Sequence, residues 1–431
     1  MSDVVITGLG VVAPTGTSTE DFWRSALAGV CGVRRISRFD PGRYPVRYAG
    51  EVASFDPANS LDPRIVVQTD LWTQFALEAT RQALASAALG PQCWDGCGDL
   101  GSFDVGVTTS AGSGGNAFGQ REIEALWARG PRHVGPYQSI AWFYAASTGQ
   151  ISIGNTMRGP CAVVSSESAG GLDAVAHARL AVRRGCRVQV CGGTEAPISP
   201  YALTCQWRSG LLSERDDPQA YRPFAHDASG YVPGEGGAVL VLENAGHARA
   251  RGVRALAAVA GHAATFTGPQ QAVGDTDYWR HTSEATAAAI RLALQQARVP
   301  PTGIDAVFAD GMAVPQADAA EITALRHALG PAFDRVPVTV VAAGLGRAYS
   351  AAGAFAVAAA VLALRDGVVP PTPGLTASEV AVPADVVTGA PRSGPLRHVL
   401  VLARGFGGFS SALVLTSATN SEGTTGRRRT P

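Results

Sequence analysis

The chain contains no lysine; all 35 of its basic residues are arginine. No side chain can therefore form a Schiff base with a carbonyl substrate or act as a lysine acid or base. The bias, together with abundant alanine and glycine, points to a GC-rich genome. Charge is scarce as well: 16% of residues are charged against 46% apolar, and the formal net charge is zero. That balance argues against nucleic acid as a partner, and so thinly charged a globular chain points to a sizeable protein–protein interface. Long apolar runs are missing too. The longest, Ala351 to Leu364, is too short to span a bilayer and stops at Arg365. The start, MSDVVITGLGVVAP, has neither the basic region nor the apolar run of a signal peptide. Seven cysteines (31, 93, 97, 161, 186, 191 and 205) form an odd set without metal-like pairing, since Cys93 and Cys97 have no companion Cys/His pair. These absences predict a soluble protein of a reducing cytoplasm, with no membrane attachment and no metal.

What is present is an alternation of strand and helix signals, which predicts an α/β fold with mainly parallel sheets covered by helices. At 431 residues the chain can bury a large core. Residues 3–16 read as a strand followed by a Gly/Pro loop, and helices are expected at 20–29, 69–88 and 117–129, with another at 142–153 packed at an interface. VGVTTS (105–110) and RVQVCGG (187–193) read as strands, and a strong strand closes the stretch 220–243. From about Arg251 the order starts again. VRALAAVAG is a strand, 283–298 a helix, 306–311 a strand, 318–328 a helix, 338–343 a strand and 351–365 a helix, and 398–405 and 411–417 are closing strands. The tail after Ser417 is polar and without apolar periodicity, which predicts disorder over 417–431.

The stretch Gly159–Arg184 (GPCAVVSSESAGGLDAVAHARLAVRR) organises the rest. An apolar strand at 162–164 feeds a helix beginning near Ser168 through a tight turn of small residues. A side chain at such a turn faces a cleft, where the helix N-terminus supplies free N–H groups and positive potential. Ser168 there reads either as the N-cap of the helix or as a nucleophile.

These residues resemble the nucleophile elbow of β-ketoacyl synthases, the condensing enzymes of fatty-acid and polyketide synthesis, in which a cysteine stands at the position of Ser168. AGGLDA (169–174), WFYAASTGQISI (142–153), GYVPGEGGA (230–238), Asp310-Gly311, Ala319-Ala320-Glu321, Gly346-Arg347 with Tyr349-Ser350, and ARGFGGF (403–409) are more similar to one branch of that family. That branch is the chain-length factor, or β subunit, of bacterial aromatic (type II) polyketide synthases. The resemblance covers residues 3–416. It implies a duplicated thiolase-like fold of five layers (αβαβα), with halves at 1–250 and 251–416.

Decarboxylative condensation needs a thiolate, donors that polarise the malonyl thioester, an oxyanion hole and a dry tunnel. The family supplies the donors as two histidines with a lysine before the second. Here Asp310 stands at the first histidine, Arg347 at the second and Ala342 at the lysine, and none of the eight histidines lies in either context. Loss of one positioned proton-transfer group typically costs about 10²–10⁴ in rate, and the nucleophile is gone as well. The resemblance implies that Phe406 belongs to the former oxyanion loop and that Asp310 and Arg347 meet, where a direct ion pair would fill the old cavity. Chain-length factors commonly keep glutamine at the elbow and lysine in the second loop, so Ser168 and Ala342 depart from the branch.

The resemblance further implies a non-condensing subunit in obligate heterodimer with a catalytic ketosynthase. Acyl carrier protein would deliver malonyl units on its phosphopantetheine arm to that partner, and no cofactor would be tightly bound. Residues 114–127 would lie at the partner contact. A helix from Asn116 places Asn116, Gly119 or Gln120, and Ile123 on one face, projecting into the tunnel where the polyketide grows. Their small volume predicts a long product, about ten or more acetate units by analogy with the family; otherwise Gly119 is a close packing contact. Two alternatives remain open: a self-standing malonyl-carrier decarboxylase or acyltransferase using Ser168, and a partner that stabilises a ketosynthase without setting length.

Overall fold

The computed structural model describes residues 4–94, 100–268 and 276–418; the expected disordered tail lies almost wholly outside them, as does Cys97. Ten strands share one hydrogen-bonded order. They are β1 (Val4–Val12), β2 (Val105–Ser110), β3 (Cys161–Val164), β4 (Val188–Glu195), β5 (Gly236–Asn244), β6 (Ala257–Phe266), β7 (Ala306–Phe308), β8 (Val338–Thr339), β9 (His398–Gly405) and β10 (Phe409–Ser417). The spatial order is β8-β7-β9-β10-β6-β1-β5-β4-β2-β3. Read outward from the centre, the two halves are the same. In the first, β1/β5 and β5/β4 are antiparallel while β4/β2 and β2/β3 are parallel. In the second, β6/β10 and β10/β9 are antiparallel while β9/β7 and β7/β8 are parallel. Only two residue pairs, Val5–Ala258 and Ile6–Ala257, join β1 to β6. The expected mainly parallel sheets are thus mixed, because β5 and the β9–β10 hairpin return antiparallel.

Seven helices matter here: α1 (Leu71–Ser86), α2 (Asn116–Arg129), α3 (Ala146–Gly154), α4 (Gly170–Arg183), α5 (Thr276–Ala297), α6 (Pro315–Leu329) and α7 (Tyr349–Asp366). α1 covers the outer face of β1, β5 and β4, whereas α5 covers β6 and β10 with α6 beside it. α4 and α7 fill the middle, α7 touching β4 and β5 on one side and β9 on the other. The result is the five-layered thiolase-like arrangement. α7 is long and apolar enough to cross a membrane, but Ser350 through Leu364 are all buried between the sheet halves. Glycines let these layers close: a Cβ at Gly171 would stand 2.4 Å from the Ala354 nitrogen and 2.5 Å from the Ser350 oxygen of α7.

Most elements fall where the periodicity places them. The apolar stripe of α1 (Phe75, Ala76, Ala79, Ala83 and Leu84) is buried, and Asp70 caps its N-terminus through Trp72 N–H. Several expectations shift: the strand expected over 306–311 ends at Phe308 and the helix expected over 283–298 starts at Thr276. The strand expected over 338–343 stops at Thr339, and Val341–Gly344 form a 3₁₀ turn; a short apolar run signals burial rather than extension. The helix expected over 142–153 begins at Ala146, leaving Trp142, Phe143 and Tyr144 exposed ahead of it.

Candidate functional site

β3 ends at Val164 and the chain enters a 3₁₀ turn, Glu167–Ala169, before α4 starts at Gly170. This inserted turn corrects the N-cap reading of Ser168. The N-cap of α4 is Ala169, which makes no side-chain cap, and Ser168 is rotated into the interior. Its side chain is fully buried and, among the described residues, its Oγ has no hydrogen-bond partner. A buried, unmade hydroxyl bond of this kind costs about 1–3 kcal/mol. Among the described residues no base hydrogen-bonds to that oxygen, the contact that would activate a serine nucleophile. The neighbouring Ser166 instead donates to Asp173 Oδ2 at 2.6 Å. Asp173 also receives Ser411 Oγ at 2.7 Å and meets His262 at 3.0 Å, tying α4 to β6 and β10.

Glu167 occupies the turn itself, with φ at +50°, a left-handed conformation rare outside glycine. Its Oε2 accepts the N–H of Ser168 at 2.6 Å and the N–H of Phe406 at 2.8 Å. The second donor arrives from the β9–β10 turn of the other half. A Cβ at Gly405 would stand 2.7 Å from the Ser166 carbonyl oxygen and 3.1 Å from both Cβ and Oε2 of Glu167, so a glycine at the end of β9 lets the whole elbow turn, carboxylate included, approach. Sequence reading passed over Glu167. The available signal was an acidic residue inside a run of small ones, at a strand-to-helix turn.

Asp310 and Arg347 pair directly, Nη1 to Oδ1 at 2.9 Å, and each side chain is 3% exposed. Arg404, which sequence reading did not single out, adds Nε at 3.3 Å from Asp310 Oδ2 and Nη2 at 2.8 Å from Glu321 Oε2. Arg347 also donates to the Arg404 carbonyl and lies over the Tyr231 ring. The Glu321 carboxylate accepts the N–H groups of Asp310 and Gly311 at 2.8 and 2.9 Å. Two cations and two carboxylates are therefore sealed together. Burial works against the charge on Arg347, yet Asp310, followed by Tyr221 and Glu167, holds its guanidinium well above the usual range. Burial pushes Asp318 up to about 7, although it accepts the N–H of Phe224 and of Met312. Ala342 sits buried in the 3₁₀ turn and offers only a methyl group. The cavity left between Arg404, Phe406, Tyr278 and Met312 measures about 20 Å³, room for a water molecule.

The four residues expected to line a tunnel lie on α2, with Asn116, Gly119 and Ile123 at successive turns. Asn116 Nδ2 donates to the Ser113 carbonyl at 2.9 Å, and Gln120 Oε1 accepts the Tyr201 N–H at 3.0 Å. A Cβ at Gly119 would stand 3.1 Å from Trp142 Cδ1, so the indole lies against the helix where that side chain would be. Ile123 points outward, more than half exposed. Trp127 on the same helix and Trp142, Phe143 and Ile153 are exposed as well, and among the described residues the edge strand β3 has one side with no neighbour in the sheet order.

The family description "Beta-ketoacyl synthase, N-terminal domain" matches residues 1–248, and "Beta-ketoacyl synthase, C-terminal domain" matches 256–376. The tetracenomycin polyketide synthase ketoacyl synthase beta subunit of Streptomyces glaucescens is 48% identical over 415 residues, covering 96% of this chain and 98% of its own length. Among solved structures, the ishigamide ketosynthase/chain length factor superposes with a TM-score of 0.85 at 28% identity, over 96% of this chain and 99% of the other. A type II polyketide ketosynthase bound to a hexaketide, in complex with its acyl-carrier protein, superposes at 0.83 and 26% identity, over 96% and 99%.

Proposed function

The chain belongs to the β-ketoacyl synthase family, and we propose that within it the chain is a non-condensing chain-length factor. It pairs with a catalytic ketosynthase in the cytoplasm and shapes the tunnel that sets polyketide length in an aromatic, antibiotic-like pathway. The observation that carries this reading is the sealed Asp310–Arg347–Arg404–Glu321 cluster. It fills the positions of the missing histidines with an aspartate and an arginine that are ion-paired to each other and tied to Arg404 and Glu321. Ser168, Ala342 and Phe406 are then vestigial. The acyl carrier protein and its phosphopantetheine arm serve the partner, and this chain binds no cofactor tightly.

Relatives support the partnership: the Streptomyces glaucescens protein is named a beta subunit, and the ishigamide structure pairs a ketosynthase with a chain length factor. The apolar face around Ile123, Trp127, Trp142 and Phe143, beside the open edge of β3, is the surface for that contact. Gly119 keeps Trp142 flat against α2 and the tunnel wide, in keeping with a product of about ten or more acetate units.

The test is malonyl-carrier consumption, with products read by mass spectrometry, for the chain alone and mixed with its ketosynthase. The chain alone is expected to consume nothing, and the mixture to make long polyketide. Consumption by the chain alone that disappears in Ser168→Ala would overturn the reading in favour of a decarboxylase.

A further inference from the structure

We propose that Glu167 is an internal oxyanion, a carboxylate held permanently in the hole where an acyl thioester carbonyl would bind. The inference deepens the non-condensing reading and rests on it. Two backbone N–H groups converge on one oxygen of Glu167 at 2.6 and 2.8 Å. Oxyanion donors stand about 2.7–3.1 Å from the negative oxygen they stabilise, so the carboxylate has the position and charge of the transition-state group. Both donors are consumed, and a substrate oxygen finds neither free.

The placement requires construction at several points. Glu167 adopts φ of +50°, which costs a non-glycine residue on the order of 1–3 kcal/mol. Gly405 lets the two turns meet, since a Cβ there would reach to 2.7 Å from the Ser166 carbonyl oxygen and 3.1 Å from Glu167 Oε2. One donor comes from each half of the molecule, so the carboxylate also bolts the elbow to the β9–β10 turn. The Ser168 hydroxyl stays unpartnered and fully buried beside it. Losing the nucleophile would leave the hole intact; Glu167 closes the hole itself.

The test puts a nucleophile back and then removes the plug. Full-length Ser168→Cys is exposed to acetyl-pantetheine, and acetylation of this chain is followed by intact-protein mass spectrometry. In that reaction the introduced thiolate adds to the carbonyl, and the pantetheine thiolate leaves and takes a proton from water. Glu167→Gly is the informative second change, because glycine accepts the positive φ and frees both donors. Loss of one oxyanion donor typically costs about 10²–10³ in rate. Ser168→Cys/Glu167→Gly is therefore expected to acetylate on the order of 100-fold faster than Ser168→Cys. Ser168→Cys/Glu167→Gln, which keeps an oxygen in the hole, is expected to stay within a few-fold of the single variant. Equal rates for the single and the glycine variants, or a glutamine variant as fast as the glycine one, would overturn the proposal. A second readout covers unfolding. Sodium acetate, but not sodium chloride at equal ionic strength, is expected to raise the melting temperature of Glu167→Gly and leave the unsubstituted chain unmoved. No acetate effect on Glu167→Gly would count against the plug. None of these outcomes alters malonyl consumption by the unsubstituted chain, which tests the non-condensing reading separately.

Discussion

Arg347 carries a full charge with 3% of its side chain exposed, and only its partners make that tolerable. Truncating it strands Asp310, which keeps one longer contact to Arg404 at 3.3 Å. Removing one member of a buried pair typically costs about 3–5 kcal/mol. Arg347→Ala is therefore expected to lower the free energy of unfolding in urea by that amount. Replacing both members with apolar groups is expected to cost much less, because no charge is then left unpaired. Asp318 gives a second handle through pH. Its carboxyl is raised from the ordinary value to about 7, with burial as the main cause. The unfolded chain therefore loses this proton first, and between about pH 4 and pH 7 the native state binds a proton that the unfolded state does not. Stability from this group falls as pH rises through that window and is flat above it, by up to about 4 kcal/mol. Asp318→Asn is expected to remove that slope, read as the pH dependence of the stability difference between the two proteins. A difference that does not change from pH 4 to pH 7 would count against the raised value.

The central helix pair shows how one missing methyl group decides the packing of an element. A Cβ at Gly171 would strike two backbone atoms of α7, which cannot swing aside as a side chain can. Gly171→Ala must push α4 from α7, and overpacking of this kind costs about 1–3 kcal/mol, occasionally more. Gly149→Ala on α3 is the contrasting case, since nothing lies within 4 Å of the added group. Relief of glycine entropy in a helix should stabilise that variant by roughly 0.5–1 kcal/mol. Thermal melts of the two variants are expected to move in opposite directions. At this scale the sequence was largely readable: α1, α2, α4 and the strands β2, β4 and β5 lie where apolar periodicity places them. The Asp310–Arg347 pair was legible because a resemblance put both loops at one site. Arg404 was hidden because a charge flanking a buried strand looks like an end-of-strand arginine. Glu167 was hidden for a different reason. Its role depends on a left-handed turn and on an N–H group 239 residues away, and neither leaves a trace in local spacing.

The whole molecule is a duplicated scaffold in which each half lends one backbone donor to the site around Glu167. On the outer face of α2 and the segment before α3, exposed aromatic residues gather. There the proposed length ruler is a pair of residues rather than a single one. Trp142 rests against α2 because Gly119 has no side chain, with Cδ1 at 3.1 Å from the missing Cβ. A phenylalanine at 119 cannot share that space, so Gly119→Phe is expected to drive the indole outward and, if this face lines the proposed tunnel, to shorten the polyketide. If the indole does the blocking, adding Trp142→Ala should restore the original length or exceed it, an interaction that two independent sites would not show. Product masses from the reconstituted complex of each variant decide the matter. A double variant as short as Gly119→Phe would place the block in the new phenyl ring and leave Trp142 as surface packing. Unchanged length in both would remove this face of α2 from the ruler altogether.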